Sequence, residues 1–300
     1  MRRVSAVDGM LLGTVLLWAL NTTVSKYLLT HRWDPLAYGV IRYAIAILLF
    51  WAFTWWRERS FRIARRDLPL VALAGATIFV NQLCFVYSLE YTTASTVALM
   101  FGTTPVFVGV IGVAVGLERL GRRFWAAALV TFAGVALIAL ASGGGVATSR
   151  KGALLGLSAA VTWGVYSLAV APLMRRYSPF RISSIVLLLG WLPLAGVGSS
   201  QVASQHFSFG ALVWVGFAYA VIGPLFLTNL LWFTAIDRVG AARASLFSNL
   251  QPFFAVFFAI VLLSERLHRL EIAGGVLIFA GILLERVRIP TSHAPETPVE

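Results

Sequence analysis

Two cationic side chains, Lys26 and Arg42, lie within long apolar runs, where a charge is costly without a partner or a function. Arg42 follows Pro35 by seven residues, which places it roughly 10 Å along a helix at ~1.5 Å per residue. Tyr38 precedes it by one turn on the same face. Arg42, with Lys26, is predicted to attract a solute carboxylate. The alternatives are an arginine that binds backbone carbonyls and a lysine that extends to the membrane interface.

Neutral polar and aromatic residues in the same runs recur at i, i+3, i+4 and i+7, so each set shares one helix face. Together they predict a chamber with aromatic walls and neutral hydrogen-bonding groups, suited to a small amphipathic solute. The candidate binding residues are Trp18, Asn21, Lys26, Tyr38, Arg42, Ile78, Asn81, Gln82, Phe85, Phe101, Trp163, Tyr166, Asn229, Ser248 and Asn249. The alternative is that the polar ones only hold helices together, at about 0.6 kcal/mol per contact.

Membrane-spanning helices must position these residues. The chain has 300 residues, 59% hydrophobic and 12% charged, with mean hydropathy +0.84. Such values exclude a soluble globular protein and a disordered chain. Ten apolar runs of roughly 20 residues each match the bilayer thickness. They are 9–29, 36–56, 68–89, 93–116, 123–141, 153–173, 180–199, 210–233, 241–263 and 271–288. The fold class predicted is all-α integral membrane, with ten transmembrane helices.

Basic residues in the connections predict the orientation, because cytoplasmic loops carry an excess of Lys and Arg. With a cytoplasmic N-terminus, 17 basic residues lie inside and five outside. Both termini are therefore predicted to be cytoplasmic, in a multi-pass protein of a bacterial inner membrane. The net charge of +12 is then a topology signal, so membrane lipid is the expected partner and nucleic acid is not.

The two halves of the chain resemble each other at an offset near 146, with single pairs at 145 or 147. Matched pairs are Trp18 with Trp163 (offset 145), Pro105 with Pro252, and Glu118 with Glu265. Five spans in each half predict two repeats of opposite orientation around a central cavity, an architecture typical of secondary transporters. The predicted division is a first repeat at 8–141, a linker at 142–151, a second repeat at 152–288 and a disordered cytoplasmic tail at 289–300. A duplicated scaffold without transport is the alternative.

Matched prolines, Pro105 and Pro252, are placed about two turns into their spans. Proline removes a helical hydrogen bond and kinks a helix, so the pair is predicted to act as hinges or simply to shape the helices. Small-residue pairs such as Gly152 and Gly156 let helices approach closely. They leave open whether the protein is a monomer or a homodimer.

The sequence offers no candidate catalytic residues. All 12 acidic residues fall at span ends, in connections or in the tail, and the four histidines are scattered without metal-ligand spacing. No Walker A, H-E-x-x-H or G-x-S-x-G pattern occurs. We therefore predict a non-enzyme without cofactor or metal. Without a carboxylate in a span, facilitated movement is favoured over ion coupling, although coupling through backbone carbonyls stays open.

Several of these residues together resemble the drug/metabolite transporter superfamily, of the type with two EamA domains. The resemblance rests on Trp18-Ala19-Leu20-Asn21 and Lys26, on Pro35 with Arg42, and on the "LERLG" (117–121) and "LSERLH" (263–268) junctions with Pro105 and Pro252. It covers about 8–288, nearly the whole chain. In the second half Pro179 is kept but Val186 replaces the counterpart of Arg42.

This resemblance implies a ten-helix carrier with both termini cytoplasmic, close to bacterial amino-acid exporters, including those for aromatic amino acids. The expected function is export of small amphipathic metabolites, amino acids among them, across the inner membrane by alternating access. A multidrug or organic-cation carrier is the alternative. It would need a carboxylate in the pathway, whereas the charges within these spans are cationic. A nucleotide-sugar carrier would need several basic residues facing phosphates.

Overall fold

The computed structural model describes residues 6–116, 121–141, 149–228, 231–232 and 250–286, and the regular structure in these ranges is helical. The described helices are α1 (Ala6–Thr30), α2 (Pro35–Glu58), α3 (Leu68–Tyr91), α4 (Ala94–Phe101), α5 (Thr104–Ala114), α6 (Arg122–Ala141), α7 (Arg150–Met174), α8 (Pro179–Ser204), α9 (Ala211–Val221), α10 (Gln251–Leu263) and α11 (Arg269–Arg286). A 3₁₀ turn, Arg65–Asp67, leads into α3, and a π-helical turn, Ile222–Leu227, continues α9.

Six segments are long and apolar enough to cross a membrane. They are Val7–Thr30, Pro35–Glu58, Arg65–Tyr91, Ala94–Ala114, Arg150–Met174 and Pro179–Ser204. Two shorter apolar helices, Ala211–Leu227 and Gln251–Leu263, accompany them. In the part of the chain that is described, the prediction of an all-helical integral membrane protein is confirmed. The number of ten spans stays a prediction.

The fourth predicted span, 93–116, is not one kinked helix. It consists of α4 and α5, which meet at Gly102 and Thr103, and Pro105 lies in the first turn of α5. Proline lacks an N–H, and its ring collides with the carbonyl four residues earlier, here that of Phe101, where α4 ends. Pro105 therefore lies inside the apolar segment Ala94–Ala114, directly after the break between α4 and α5.

Pro252 lies in the first turn of α10 as described. Residues 241–249, which the prediction joins to the same span, fall outside the described residues. Hinge roles for Pro105 and Pro252 stay predictions.

Helices from the two predicted halves interleave rather than forming separate bundles. α3 packs against α7 and α8, α2 packs against α8, and α1 packs against α10. Glycines allow the closest of these approaches: a Cβ atom on Gly75 would lie 2.7 Å from Cβ of Leu189. In this packing α1, α2 and α3 each contact helices of the second half.

The helices α6 and α11 cross closely at two facing glycines, Gly134 and Gly274. A Cβ atom on Gly134 would lie 2.5 Å from the carbonyl oxygen of Gly274. We expect Gly134→Ala to lower unfolding stability by about 1–3 kcal/mol, because the helices must separate to admit the methyl group. Thermal unfolding in detergent measures this.

The matched control is Gly196→Ala, since a Cβ atom there would meet nothing within 4 Å. Alanine also favours a helix over glycine by about 1 kcal/mol. The control should leave the unfolding temperature unchanged or raise it. Equal unfolding temperatures for the two variants would contradict the tight crossing.

Ionic contacts join the connections α2–α3 and α7–α8 at one end of the bundle. Buried Asp67 accepts hydrogen bonds from the guanidinium of Arg176 and from the Tyr177 hydroxyl, the latter at 2.7 Å. Glu58 accepts from Arg181 Nε at 2.8 Å and from the Ser178 hydroxyl. These contacts tie the first half to the second and hold α2 and α8 side by side.

Candidate functional site

Arg42 lies in the middle of a polar cluster formed by α1, α2 and α3. Its side chain is only 2% exposed. Nη1 donates to the Tyr38 hydroxyl at 2.9 Å and to Asn21 Oδ1 at 3.4 Å, and Nη2 donates to Gln82 Oε1 at 3.1 Å. The predicted one-turn spacing of Tyr38 and Arg42 on α2 produces the first of these contacts.

Ser25 completes a ring of hydrogen bonds around this cluster. Its hydroxyl lies 2.7 Å from the Tyr38 hydroxyl and 3.4 Å from Asn21 Oδ1. The Tyr38 hydroxyl accepts from Arg42 and shares a hydrogen bond with the Ser25 hydroxyl, which also donates to Asn21. We refer to Asn21, Ser25, Tyr38, Arg42 and Gln82 as the Arg42 cluster.

Aromatic rings close the remaining sides of the guanidinium. Arg42 Cζ lies 4.7 Å from the ring centroid of Tyr38, 5.6 Å from that of Tyr43 and 5.8 Å from that of Phe85. Phe101, at the end of α4, meets Phe85 edge-on with centroids 6.0 Å apart. The cation therefore has aromatic faces and neutral hydrogen-bond acceptors as its surroundings.

The charge of Arg42 has no carboxylate partner among the residues that the structure describes. The ion pairs found there involve Asp67 and Glu58 instead. Two N–H donors of the cluster, Arg42 Nε and Gln82 Nε2, are buried and have no acceptor among the described residues. Buried donors without a partner are unfavourable, and an acceptor with a negative charge would satisfy them and balance the guanidinium. A planar carboxylate fits the fork of such a group.

Trp18 lies one turn before Asn21 and contacts the second half of the chain. Its indole Nε1 donates to the carbonyl of Pro224 at 3.3 Å, and its ring lies 5.3 Å from that of Trp232. Pro224 belongs to the π-helical turn, and such turns often occur at functional sites. Trp18 and Trp232 thus form a tilted aromatic pair one turn of α1 away from Asn21 of the Arg42 cluster.

Three candidate residues make their contacts elsewhere. The Lys26 ammonium donates to the carbonyls of Leu89 and Thr92 at 2.6 and 2.8 Å. Asn81 Nδ2 donates to the carbonyl of Ala159 on α7 at 2.7 Å. Ile78 packs in a hydrophobic core between α2, α3, α7 and α8 that also contains Tyr43. These three side chains make no hydrogen bond to Arg42 in the described part of the structure.

Trp163 and Tyr166 pack against that same core and against each other, with ring centroids 5.2 Å apart. Asn229, Ser248 and Asn249 lie outside the described residues. Of the 15 candidates, the structure therefore gathers Asn21, Tyr38, Arg42, Gln82 and Phe85 in direct contact, with Phe101 adjoining them.

Sequence reasoning did not select three residues around this site. Ser25 lies one turn after Asn21 on the same face of α1. Tyr43 follows Arg42 directly along α2. Trp33 is sandwiched between Phe209 and Phe217, with centroids 4.9 and 4.7 Å away, and meets Tyr38 edge-on. Its contacts join connections about 175 residues apart in the chain, so no local spacing reveals them.

A multi-pass helical membrane protein with a buried polar and aromatic cluster among its helices has the form of a small-molecule transporter. The model of the EamA-like transporter family matches residues 6–140 and again 150–285. The chain belongs to the EamA-like transporter family. The two matched ranges together cover most of the chain and agree with a non-enzymatic transporter.

Curated relatives carry similar descriptions. A probable terminal-alkyne amino-acid exporter of Streptantibioticus cattleyicolor is 32% identical over 228 residues, 73% of each chain. A probable amino-acid metabolite efflux pump of Salmonella typhimurium is 26% identical over 293 residues, 93% of this chain and 95% of the other. A solved crystal structure matches with a TM-score of 0.63 at 18% identity, covering 93% and 96% of the two chains, which shows likeness of fold alone.

Proposed function

We propose that this protein is a secondary transporter that exports small amphipathic metabolites, in particular amino acids including aromatic ones, across a bacterial plasma membrane. Membership of the EamA-like family supports export of a metabolite, and two relatives described as amino-acid exporter and efflux pump support the substrate class. Alternating access is the mechanism that fits two related halves around one site.

The Arg42 guanidinium is the observation that carries the proposal. It is buried, it donates to neutral oxygens, and no carboxylate among the described residues balances its charge. A solute carboxylate placed against Arg42 Nε and Gln82 Nε2 would satisfy both unpartnered donors. In this role Arg42 binds the acid group that all amino acids share.

Aromatic residues beside the cluster would take the apolar part of the solute. Phe85 adjoins the guanidinium, Phe101 adjoins Phe85, and Trp18 with Trp232 lies one turn away along α1. Offset and edge-on ring contacts of this kind are each worth about 0.5–1.5 kcal/mol. The neutral hydroxyl and amide groups of the cluster are suited to the solute's ammonium group.

The proposed architecture consists of ten transmembrane helices in two inverted five-helix repeats, 8–141 and 152–288, around this site. Both termini would be cytoplasmic, as 17 basic residues on one side against five on the other indicate. The further candidates Lys26, Ile78, Asn81, Trp163 and Tyr166 would contact the solute only in another conformation of the cycle. Asn229, Ser248 and Asn249, which lie outside the described residues, stay proposed binding residues.

Uptake into liposomes that contain the purified protein tests the proposal. The panel comprises labelled phenylalanine, threonine, methionine and a quaternary organic cation. We expect saturable uptake of amino acids and none of the cation, because a buried guanidinium repels a cation. Uptake of the cation alone would instead support an organic-cation carrier and overturn the proposal.

A further inference from the structure

The connection between α3 and α4 consists of Thr92 and Thr93, so the end of one helix directly faces the start of another. Four carbonyls at the end of α3 and four N–H groups at the start of α4 have no partner within their own helix. The first of these ends has partial negative charge and the second partial positive charge. Side chains of opposite charge from two other parts of the chain bind them.

Lys26 of α1 binds the negative end. Its ammonium donates to the carbonyls of Leu89 and Thr92, at 2.6 and 2.8 Å. Because Lys26 comes from the first half, it fixes α3 to a neighbour within the same predicted repeat.

Glu265 of the α10–α11 connection binds the positive end. One carboxylate oxygen accepts from the N–H of Ala94 at 2.8 Å; the other accepts from the N–H and hydroxyl of Ser95 at 3.0 and 2.6 Å. Ser264, in a left-handed conformation with φ of 53°, ends α10 and turns the chain toward α4. Three charge-assisted bonds thus join the second half to the first.

Glu271 fixes the far side of the same connection. It is 2% exposed, accepts from the Thr96 hydroxyl at 3.0 Å, and also accepts from the N–H of His268 at 2.8 Å. The latter bond caps the start of α11 from its third residue. Glu271 therefore shapes the connection that carries Glu265 and adds one more contact with α4.

We propose that Glu265 is a positioning residue that holds this end of the transporter closed and releases it once per cycle. This rests on the proposed alternating-access function. Relative motion of two halves must break contacts between them, and at the start of α4 Glu265 accepts three of the hydrogen bonds described above and Glu271 a fourth. Bonds to a charged group are strong enough to bias a conformational equilibrium, yet their N–H and hydroxyl donors can bind water when the end opens.

Glu265→Gln tests the proposal, because it keeps the side-chain shape but replaces one acceptor by a donor and removes the charge. Opening is measured by the alkylation rate of a cysteine introduced as Ala98→Cys, with the native thiol removed by Cys84→Ser. Ala98 lies one turn beyond Ala94 on α4 and is 4% exposed. We expect Glu265→Gln to raise its reaction rate with a water-soluble maleimide by about tenfold.

Two comparisons separate opening of this end from general loosening. Thr54→Cys reports on a fully buried position near the C-terminal end of α2, far along the chain from the Glu265 contacts. Glu265→Gln should not increase the alkylation rate of this cysteine. Glu90→Gln removes the same charge from an exposed carboxylate at the end of α3 and should not change Ala98→Cys labelling. Ser95→Ala, which loses one of the three bonds, should give a smaller increase than Glu265→Gln.

An unchanged Ala98→Cys rate in Glu265→Gln, or an equal rise at both reporter positions, would overturn the role of Glu265. Labelling does not depend on transport, so it also separates the two proposals. A selective rise in a protein that moves no amino acid would contradict the proposed function and leave the Glu265 contact supported. Amino-acid transport together with unchanged labelling would support the proposed function and contradict the role of Glu265.

Discussion

Replacing Arg42 by glutamine is expected to reduce phenylalanine transport by about 100-fold or more, since the solute loses a bidentate, charge-assisted contact. The protein should still fold, because the substitution also removes a buried charge that has no carboxylate partner among the described residues. Initial uptake rates in proteoliposomes, together with thermal unfolding in detergent, measure both effects.

Arg57→Gln is the matched control for this substitution. Arg57 lies in the last turn of the same helix and is exposed, so its removal changes the charge of α2 by the same amount without touching the cluster. Its uptake should equal that of the unmodified protein. Undiminished phenylalanine uptake by a folded Arg42→Gln protein would show that this guanidinium does not bind the solute.

Gln82→Glu is expected to have the second large effect, because it introduces a carboxylate beside the cation. Gln82 Oε1 already accepts from Arg42 Nη2 at 3.1 Å, so the nearly isosteric substitution creates an internal ion pair. That pair competes with the solute carboxylate and should lower phenylalanine transport by about tenfold or more. The unfolding temperature should not fall, since the guanidinium gains a counter-charge.

Gln82→Met provides the comparison for this prediction, because it removes the amide without supplying a charge. It should reduce transport less than Gln82→Glu does and should lower the unfolding temperature more. Transport by Gln82→Glu at the unmodified rate, with an unchanged affinity for phenylalanine, would mean that the charge of Arg42 is not available to the solute.

Hydrophobic runs and short connections were sufficient to predict an all-helical membrane protein, because a bilayer allows few other solutions to a chain of this composition. The division of span four was not predictable from hydropathy. The break at Gly102 and Thr103 precedes Pro105 because the clash of a proline acts on the carbonyl four residues before it.

Helical spacing predicted which side chains share a face but not which neighbour each one meets. Tyr38 and Arg42 lie on one helix four residues apart, so local geometry alone brings them together. Asn81 and Gln82 are adjacent in α3 and point about 100° apart. One contacts α7 and the other contacts Arg42, and only the packing of α3 between α2 and α7 decides which.

Lys26 and Glu265 show the same limit for charged groups. Sequence analysis placed one near the end of a span and marked the other as part of a characteristic junction, but assigned Glu265 no contact. Their partners lie 63 and about 170 residues away in the chain, and are backbone groups at helix ends, which carry no residue-type signal. Such contacts become visible only when the helices have been arranged in space.

The most direct test of the account compares three competitors of labelled phenylalanine uptake in proteoliposomes. Phenylalanine has both polar groups, 3-phenylpropionate lacks the ammonium group, and phenethylamine lacks the carboxylate. If Arg42 binds the acid group, phenylpropionate should inhibit uptake and phenethylamine should not, and Arg42→Gln should abolish the difference. Inhibition by phenethylamine but not by phenylpropionate would contradict a carboxylate site at Arg42.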